Sequence, residues 1–306
     1  MKEIIPPVER ELLEAELTGD KFIRTTNNGG NELYIITHHD SPNVIKEIGR
    51  IREITFREAG GGTGKEADID QYDVADTPYR QLIVWDPKEK EILGGYRFFY
   101  GKDGVSNLAT GNIFHFSEEF IKDYLPYIIE LGRSFVQPQY QSTAKNKKAL
   151  YALDNLWDGL GAIVVDNPHI KYMFGKVTMY KKYNVEARNH ILYFMEKHFG
   201  DNKGLVKPKK PLETNIDRDK MKKIFTGKNF MADYKILSQK VRALGENIPP
   251  LINAYMNLSP TMKTFGSLIN ESFGGVEETA IMVTIKDIYP SKTERHISSY
   301  ISIKEG

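Results

Sequence analysis

The chain has 306 residues, 40% of them hydrophobic and 27% charged, the balance of a soluble globular protein with room for one large domain or two modest ones. Lys and Arg number 42 against 41 Asp and Glu, so no global basic field recommends nucleic acid as a partner. The absence of cysteine excludes disulfides, thiolate zinc sites and a thiol acyl-enzyme, and the N-terminus MKEIIPPVERELLEAEL lacks the pattern of a signal peptide. No apolar run approaches the ~18 residues of a membrane span. The expected location is the cytoplasm, with a peripheral contact to the inner membrane left open.

In chain order, ELYIITHH (32–39) reads as a strand. In SPNVIKEIGRIREITFREA, the residues Val44, Ile45, Ile48, Ile51 and Ile54 recur at helical spacing and predict a helix over 42–59, stopped by the run Gly60–Gly64. That run, followed by Lys65, invites comparison with the phosphate loop G-x-x-x-x-G-K-[ST]. The spacing from Gly60 to Gly64 is one position short, Glu66 stands where the metal-binding hydroxyl belongs, and the run leaves a helix where a phosphate loop leaves a strand. A calcium loop starting at Asp68 fails as well, because Asp73 and Tyr79 occupy its glycine and glutamate positions. His38-His39 has no further ligands at metal spacing, and no metal is expected. The acidic residues Asp68, Asp70 and Asp73 therefore need another partner.

Further on, YRQLIVWD (79–86) and EILGGYRFFY (91–100) predict a hairpin turning at PKEKE. SEEFIKDYL is a short amphipathic segment, and YIIELGRSFV (127–136) reads as a strand. QPQYQSTAKNKKALYALDNLWDGLGAIVV (137–165) contains a long helix with Ser142 or Thr143 as its cap. KYMFGKVTM (171–179) is again strand-like and EARNHILYFMEKHF (186–199) helical. The order β-α-β-β-α-β-α-β-α is a mixed α/β layout over residues 1–199. Residues 200–214 form a polar loop or linker. Residues 215–306 read as an extension packed on that core: helices broken at Gly227, a short helix at PPLINAYMNLS and a strand at TAIMVTIKDIY.

Arg52, Phe56, Asp70-x-x-Asp73, GGYR ending at Arg97, and ELGRSFV with Glu130 and Arg133 occur in this order between Glu32 and Met179, with PPLINAY further on. Together they resemble the GNAT-like, hemolysin-like N-acyltransferases that make ornithine and glycine lipids, relatives of the acyl-homoserine-lactone synthases. The resemblance implies a GNAT mixed sheet flanked by helices. It also implies transfer of a long, often 3-hydroxylated fatty acyl group from acyl carrier protein to the α-amine of an amino acid such as glycine or ornithine. On the same basis Arg52, Phe56, Asp70 and Asp73 shape the acceptor side and Arg97 is their salt-bridge partner. GNAT folds splay their fourth strand, which would turn backbone N–H groups near Phe135 and Val136 toward the thioester oxygen.

Attack by an amine on a thioester needs a neutral amine, a donor for the developing oxyanion and a grip on the carrier's phosphate. Glu130, inside an apolar strand, is the candidate base, grouped with Arg133 and Arg97; the alternative is a buried carboxylate paired with one of those arginines for structure. Residues three apart on a regular strand face opposite sides, so Glu130 and Arg133 share a site only across a bulge. On the donor side QPQYQSTAKNKK lacks the glycines that wrap the pyrophosphate of coenzyme A in acetyltransferases. A single phosphate at the helix N-terminus, held by Ser142 or Thr143 with Lys145 nearby, suits a carrier's phosphopantetheine, and a coenzyme A thioester stays open. No cofactor beyond the donor substrate is expected. Two other readings stand beside this one: an acyl-homoserine-lactone type autoinducer synthase, and a non-enzymatic lipid- or membrane-interacting protein.

Overall fold

The computed structural model describes residues 1–141 and 149–302. Among these, the strands are β1 (Phe22–Thr25), β2 (Glu32–Ile36), β3 (Arg80–Asp86), β4 (Glu91–Tyr100), β5 (Phe114–Phe116), β6 (Ile128–Val136), β7 (Tyr172–Met179), β8 (Val206–Pro208), β9 (Lys263–Asn270) and β10 (Val276–Thr284). The α-helices are α1 (Arg10–Glu16), α2 (Pro42–Ala59), α3 (Ala149–Asp166), α4 (Val185–Phe199), α5 (Arg218–Ile224), α6 (Phe230–Ala243), α7 (Pro250–Met256) and α8 (Pro290–His296). Eight strands form one sheet in the order β1-β2-β3-β4-β6-β7-β10-β9, antiparallel throughout except between β6 and β7. This is the mixed α/β architecture expected.

Alternation along the central strands feeds two cores. Leu82 and Val84 of β3 join the apolar residues of α3 and α4 on one face, among them Leu156, Leu160, Ile191 and Phe194. Ile83 and Trp85 join Val44, Ile45, Ile48 and Ile51 of α2 on the other. Each fully buried aliphatic or aromatic side chain contributes about 1.5–3 kcal/mol. Helix α2 stops at Gly60, which adopts the left-handed conformation at φ 97° with its N–H on the Arg57 carbonyl. A Cβ at Gly60 would meet only the end of the Lys182 side chain, at 4.0 Å. The cost of alanine there is therefore conformational, and Gly60→Ala is expected to lower the unfolding free energy by about 1 kcal/mol. An unchanged urea midpoint would show that the cap carries no such preference.

The C-terminal segment continues the sheet. β10 runs along β7 from Glu277↔Met179 to Thr284↔Tyr172, and β9 forms the edge beyond it. Helix α8 packs on α3, where a Cβ at Gly161 would fall 2.0 Å from the His296 carbonyl oxygen. The stretch 200–214 is tied down too: β8 pairs with β5, and Pro211 bridges to Leu268. The short elements α1, β1, β5, β8, β9 and α8 are absent from the sequence reading. Five of them have three to seven residues, too few to display a period, and β9 is interrupted by Gly266 at φ 88°.

Candidate active site

The site begins where two strands part. β6 and β7 pair only from Ile128↔Tyr172 to Leu131↔Gly175, although β6 continues to Val136 and β7 to Met179. On its other edge β6 stays with β4, but between Gly95↔Phe135 and Arg97↔Gly132 it spends one residue more than its partner. That extra residue makes a bulge, with Arg133 in the left-handed region at φ 47°, a conformation costing about 1–2 kcal/mol for a side-chain-bearing residue. The bulge inverts the parity of the strand, so Glu130 before it and Arg133 within it both reach the α2 side of the sheet. Beyond the bulge, the Gln137 N–H donates to the Leu93 carbonyl at 2.8 Å. By alternation the Val136 N–H faces away from β4, toward the gap, while that of Phe135 faces β4.

A cavity of about 420 Å³ occupies the gap and has two different walls. On the α2 side the lining is charged and polar: Arg97, Thr110, Glu130, Arg133, Lys176 and Glu278. On the α3 side it is apolar and aromatic: Tyr96, Leu131, Leu153, Met173, Tyr255 and Ile281, closed by Pro249 and Pro250 at the start of α7. Burial, and then the neighbouring Tyr96, push the Tyr255 phenol well above its ordinary range. Both tyrosines therefore stay neutral on the apolar wall.

Glu130 is 2% exposed and heavily bonded. One oxygen accepts from the Tyr79 hydroxyl and from the Ala109 N–H at 3.1 Å; the other accepts from the Thr110 N–H at 2.8 Å and from the Thr110 hydroxyl. A carboxylate offers about four lone-pair directions, so these donors fill it. Tyr79 in turn stacks on Phe99 and lies under the Arg97 guanidinium, 5.1 Å from its ring centre. Burial first, and then Glu130, push the Tyr79 phenol far up, so it remains a hydrogen-bond donor. Glu130 is thus paired with neither Arg97 nor Arg133.

The acidic loop meets the arginines instead. Arg52 is 1% exposed and places Nε 3.0 Å from Asp68 and both terminal nitrogens 3.2 Å from Asp73. Arg97 donates to both oxygens of Asp70 at 2.8 Å and reaches Asp73 at 3.3 Å. Arg133 brings Nε 2.8 Å from Asp68 and lays its guanidinium 4.0 Å from the centre of the Phe273 ring. Burial alone would raise Asp68 and Asp73. Arg133 and Arg52 on the first, and Arg52 and Arg97 on the second, override it and hold both carboxyls below the ordinary value. Of the residues expected on the acceptor side, Phe56 lines the cavity, whereas Arg52, Asp70 and Asp73 lie behind it as an ionic frame.

The glycine run wraps an anion after all, the chain's own. Glu53, fully buried on α2, accepts from the Thr63 N–H at 3.0 Å, the Thr63 hydroxyl at 2.7 Å, the Gly64 N–H at 2.8 Å and Arg57 at 2.7 Å. The expected phosphate grip of Ser142, Thr143 and Lys145 lies outside the described residues. Tyr79, Thr110, Lys176, Tyr180 and Glu278 are cavity residues that the sequence reading misses. A signal existed for Glu278: it shares the alternation of Val276, Ala280 and Met282, a charge on a buried strand face.

Residues 51–150 match the family model described as an acetyltransferase (GNAT) domain. Two curated relatives, both named glycine N(alpha)-acyltransferase, align along nearly the whole length. One, from Phocaeicola vulgatus, is 56% identical over 307 residues, covering 98% of this chain and 94% of its own. The other, from Bacteroides thetaiotaomicron, is 55% identical over 307 residues, covering 98% of this chain and 91% of its own. Among solved structures, a CoA-dependent acyl-homoserine lactone synthase with SAM and isopentyl-CoA aligns over 88% of this chain and 89% of its own. Its identity is 12% and its TM-score 0.41, a distant likeness.

Proposed function

Because the chain belongs to the family of these glycine N(alpha)-acyltransferases, and is an acyltransferase with a GNAT domain, we propose that its acceptor is glycine and its donor a long-chain, 3-hydroxylated fatty acyl thioester of acyl carrier protein. The product is an N-acyl glycine, the first step toward an aminolipid. The observation that carries this reading is the two-walled cavity at the parted strands. The apolar and aromatic wall on the α3 side suits an acyl chain, and the charged wall on the α2 side suits an amino acid.

The thioester carbonyl sits between the walls. The acceptor nitrogen attacks the carbonyl carbon, the C–N bond forms, the C–S bond breaks and the thiol leaves. The Val136 N–H, turned toward the gap, is the backbone donor for the oxygen that becomes negative. Glu130, filled by its donors, acts as a positioning residue: it fixes Tyr79 and the Ala109–Thr110 turn at the floor of the site. Positioning is the main contribution of such a site, since holding amine and thioester in attack geometry replaces a bimolecular encounter. No helix among the described residues is long and apolar enough to cross a membrane.

Mass spectrometry of lipid extracts from a bacterial host making the protein tests the reading. The expected result is a new set of masses equal to hydroxy fatty acids amide-linked to glycine. With purified protein, amide formation from the carrier-bound thioester and not from the coenzyme A thioester is expected. Amides of another amino acid would replace the acceptor, use of coenzyme A alone would replace the donor, and no amide from either donor would overturn the proposal.

A further inference from the structure

The β7–β10 wall of the cavity carries a charged pair of its own, in the same cavity that Glu130 and Arg133 of β6 line. Lys176 Nζ lies 3.0 Å from Glu278 Oε2, and Asn270 donates to the same oxygen at 3.0 Å. The side chains are only 15% and 4% exposed, and both line the cavity. Glu278 Oε1 takes no hydrogen bond from the described residues. It therefore differs from Glu130, whose two oxygens are both occupied.

A structural role explains this pair poorly. Burying an ion costs several kcal/mol, and apolar replacements of a buried pair are often neutral or stabilising. The same strand face otherwise carries Val276, Ala280 and Met282. An ion pair set into an apolar face that lines a cavity, with one carboxylate oxygen left without a hydrogen bond among the described residues, is complementary to a molecule that bears both charges itself. Tyr180 lines the same cavity, and burial, then Glu278, raise its phenol while Arg133 lowers it. The space behind Tyr180 is closed. A Cβ at Gly61 would come 3.1 Å from the Tyr180 ring and 3.2 Å from Val276, and one at Gly274 3.0 Å from the Gly61 backbone.

We propose that Lys176 and Glu278 form the acceptor subsite, where the zwitterion of a small α-amino acid docks with its carboxylate on Lys176 and its ammonium on Glu278, and that Glu278 takes the proton which makes the amine nucleophilic. This assignment rests on the acyl-transfer reading above. The ammonium gives one proton to Glu278 Oε1, and the nitrogen lone pair then forms the C–N bond. The C–S bond breaks, the second nitrogen proton leaves with the thiolate as a thiol, and Glu278 returns its proton to solvent. The glycine loop gains a task in this arrangement, since its close packing behind Tyr180 limits the acceptor's side chain.

Steady-state kinetics with the carrier-bound thioester, comparing glycine with ethylamine as acceptor, tests it. In Glu278→Gln, kcat/KM for glycine is expected to fall about 100-fold or more, with the KM for donor unchanged and the rate recovering as pH rises and glycine becomes neutral. In Lys176→Met the KM for glycine is expected to rise about 10-fold, the equivalent of one lost charge contact, and the preference for glycine over ethylamine to shrink by the same factor. The double variant Lys176→Met with Glu278→Gln leaves no unpaired charge, so it is expected to fold, bind donor and fail with glycine. A Glu278→Gln rate within threefold of wild type, parallel loss of donor binding, or an unaltered preference in Lys176→Met would overturn the assignment. If the wild type itself makes no amide, the acyl-transfer reading fails and takes this one with it; amide from the wild type and equally from Glu278→Gln defeats this one alone.

Discussion

Arg52→Ala is expected to lower the unfolding free energy by about 3–5 kcal/mol, because it removes one partner from a buried ionic frame and leaves the others charged. Arg52 is 1% exposed, and the carboxylates it holds, Asp68 and Asp73, are 0% exposed. After the substitution Asp68 keeps Arg133, and Asp73 keeps Arg97 and Gln81, but the guanidinium fork that joins the two aspartates is gone. A domain with about 5–15 kcal/mol in total would lose a large part of its margin. Arg52→Lys keeps the charge without the fork and should fall between the two.

The same frame sets an acid limit. Asp68 and Asp73 have folded-state pKa values below the ordinary value, so their contribution is complete above the unfolded carboxyl pKa of about 3.9 and is lost as pH falls below it toward the folded values. Urea denaturation from pH 7 down to pH 3 is the measurement. Wild-type stability should drop steeply below about pH 4 and that of Arg52→Ala less steeply. A midpoint for Arg52→Ala within about 1 kcal/mol of wild type would mean that the frame is not what holds the acidic loop to α2.

Glu130→Gln is expected to reduce kcat/KM about 100-fold or more and to cost about 2 kcal/mol of stability at once. The carboxylate accepts from Tyr79 and Ala109 on one oxygen and from the Thr110 N–H and hydroxyl on the other. An amide nitrogen on either side presents hydrogens to hydrogens, and one buried donor left unsatisfied costs about 1–3 kcal/mol. The Ala109–Thr110 turn and Tyr79 would shift, and the cavity floor with them. Pairing the urea midpoint with a pH–rate profile separates two roles. A carboxylate acting only as a base would leave stability intact and let the rate recover at high pH. A positioning carboxylate loses both stability and rate, and raising the pH does not restore the rate.

The sequence by itself determined the longer elements and part of the cast of residues. Short β-rich runs bounded by turn residues marked β3, β4, β6 and β7, the 3.6 period marked α2 and α4, and Gly60 marked the end of α2, because each of these is a relation between residues a few positions apart. The ordered motifs with Arg52, Asp70, Asp73, Arg97, Glu130 and Arg133 likewise pointed to acyl transfer. The tertiary structure alone decided who meets whom. It turned the glycine-run amides onto Glu53, closed the arginine–aspartate frame, surrounded Glu130 with donors from a different loop, and set Glu278 beside Lys176 through the register of β10 on β7. Alternation tells which face a side chain takes but not which strand lies next to it. That depends on long-range strand pairing, on a bulge that reverses parity at Arg133, and on burial that leaves each charge no partner but the one the fold brings.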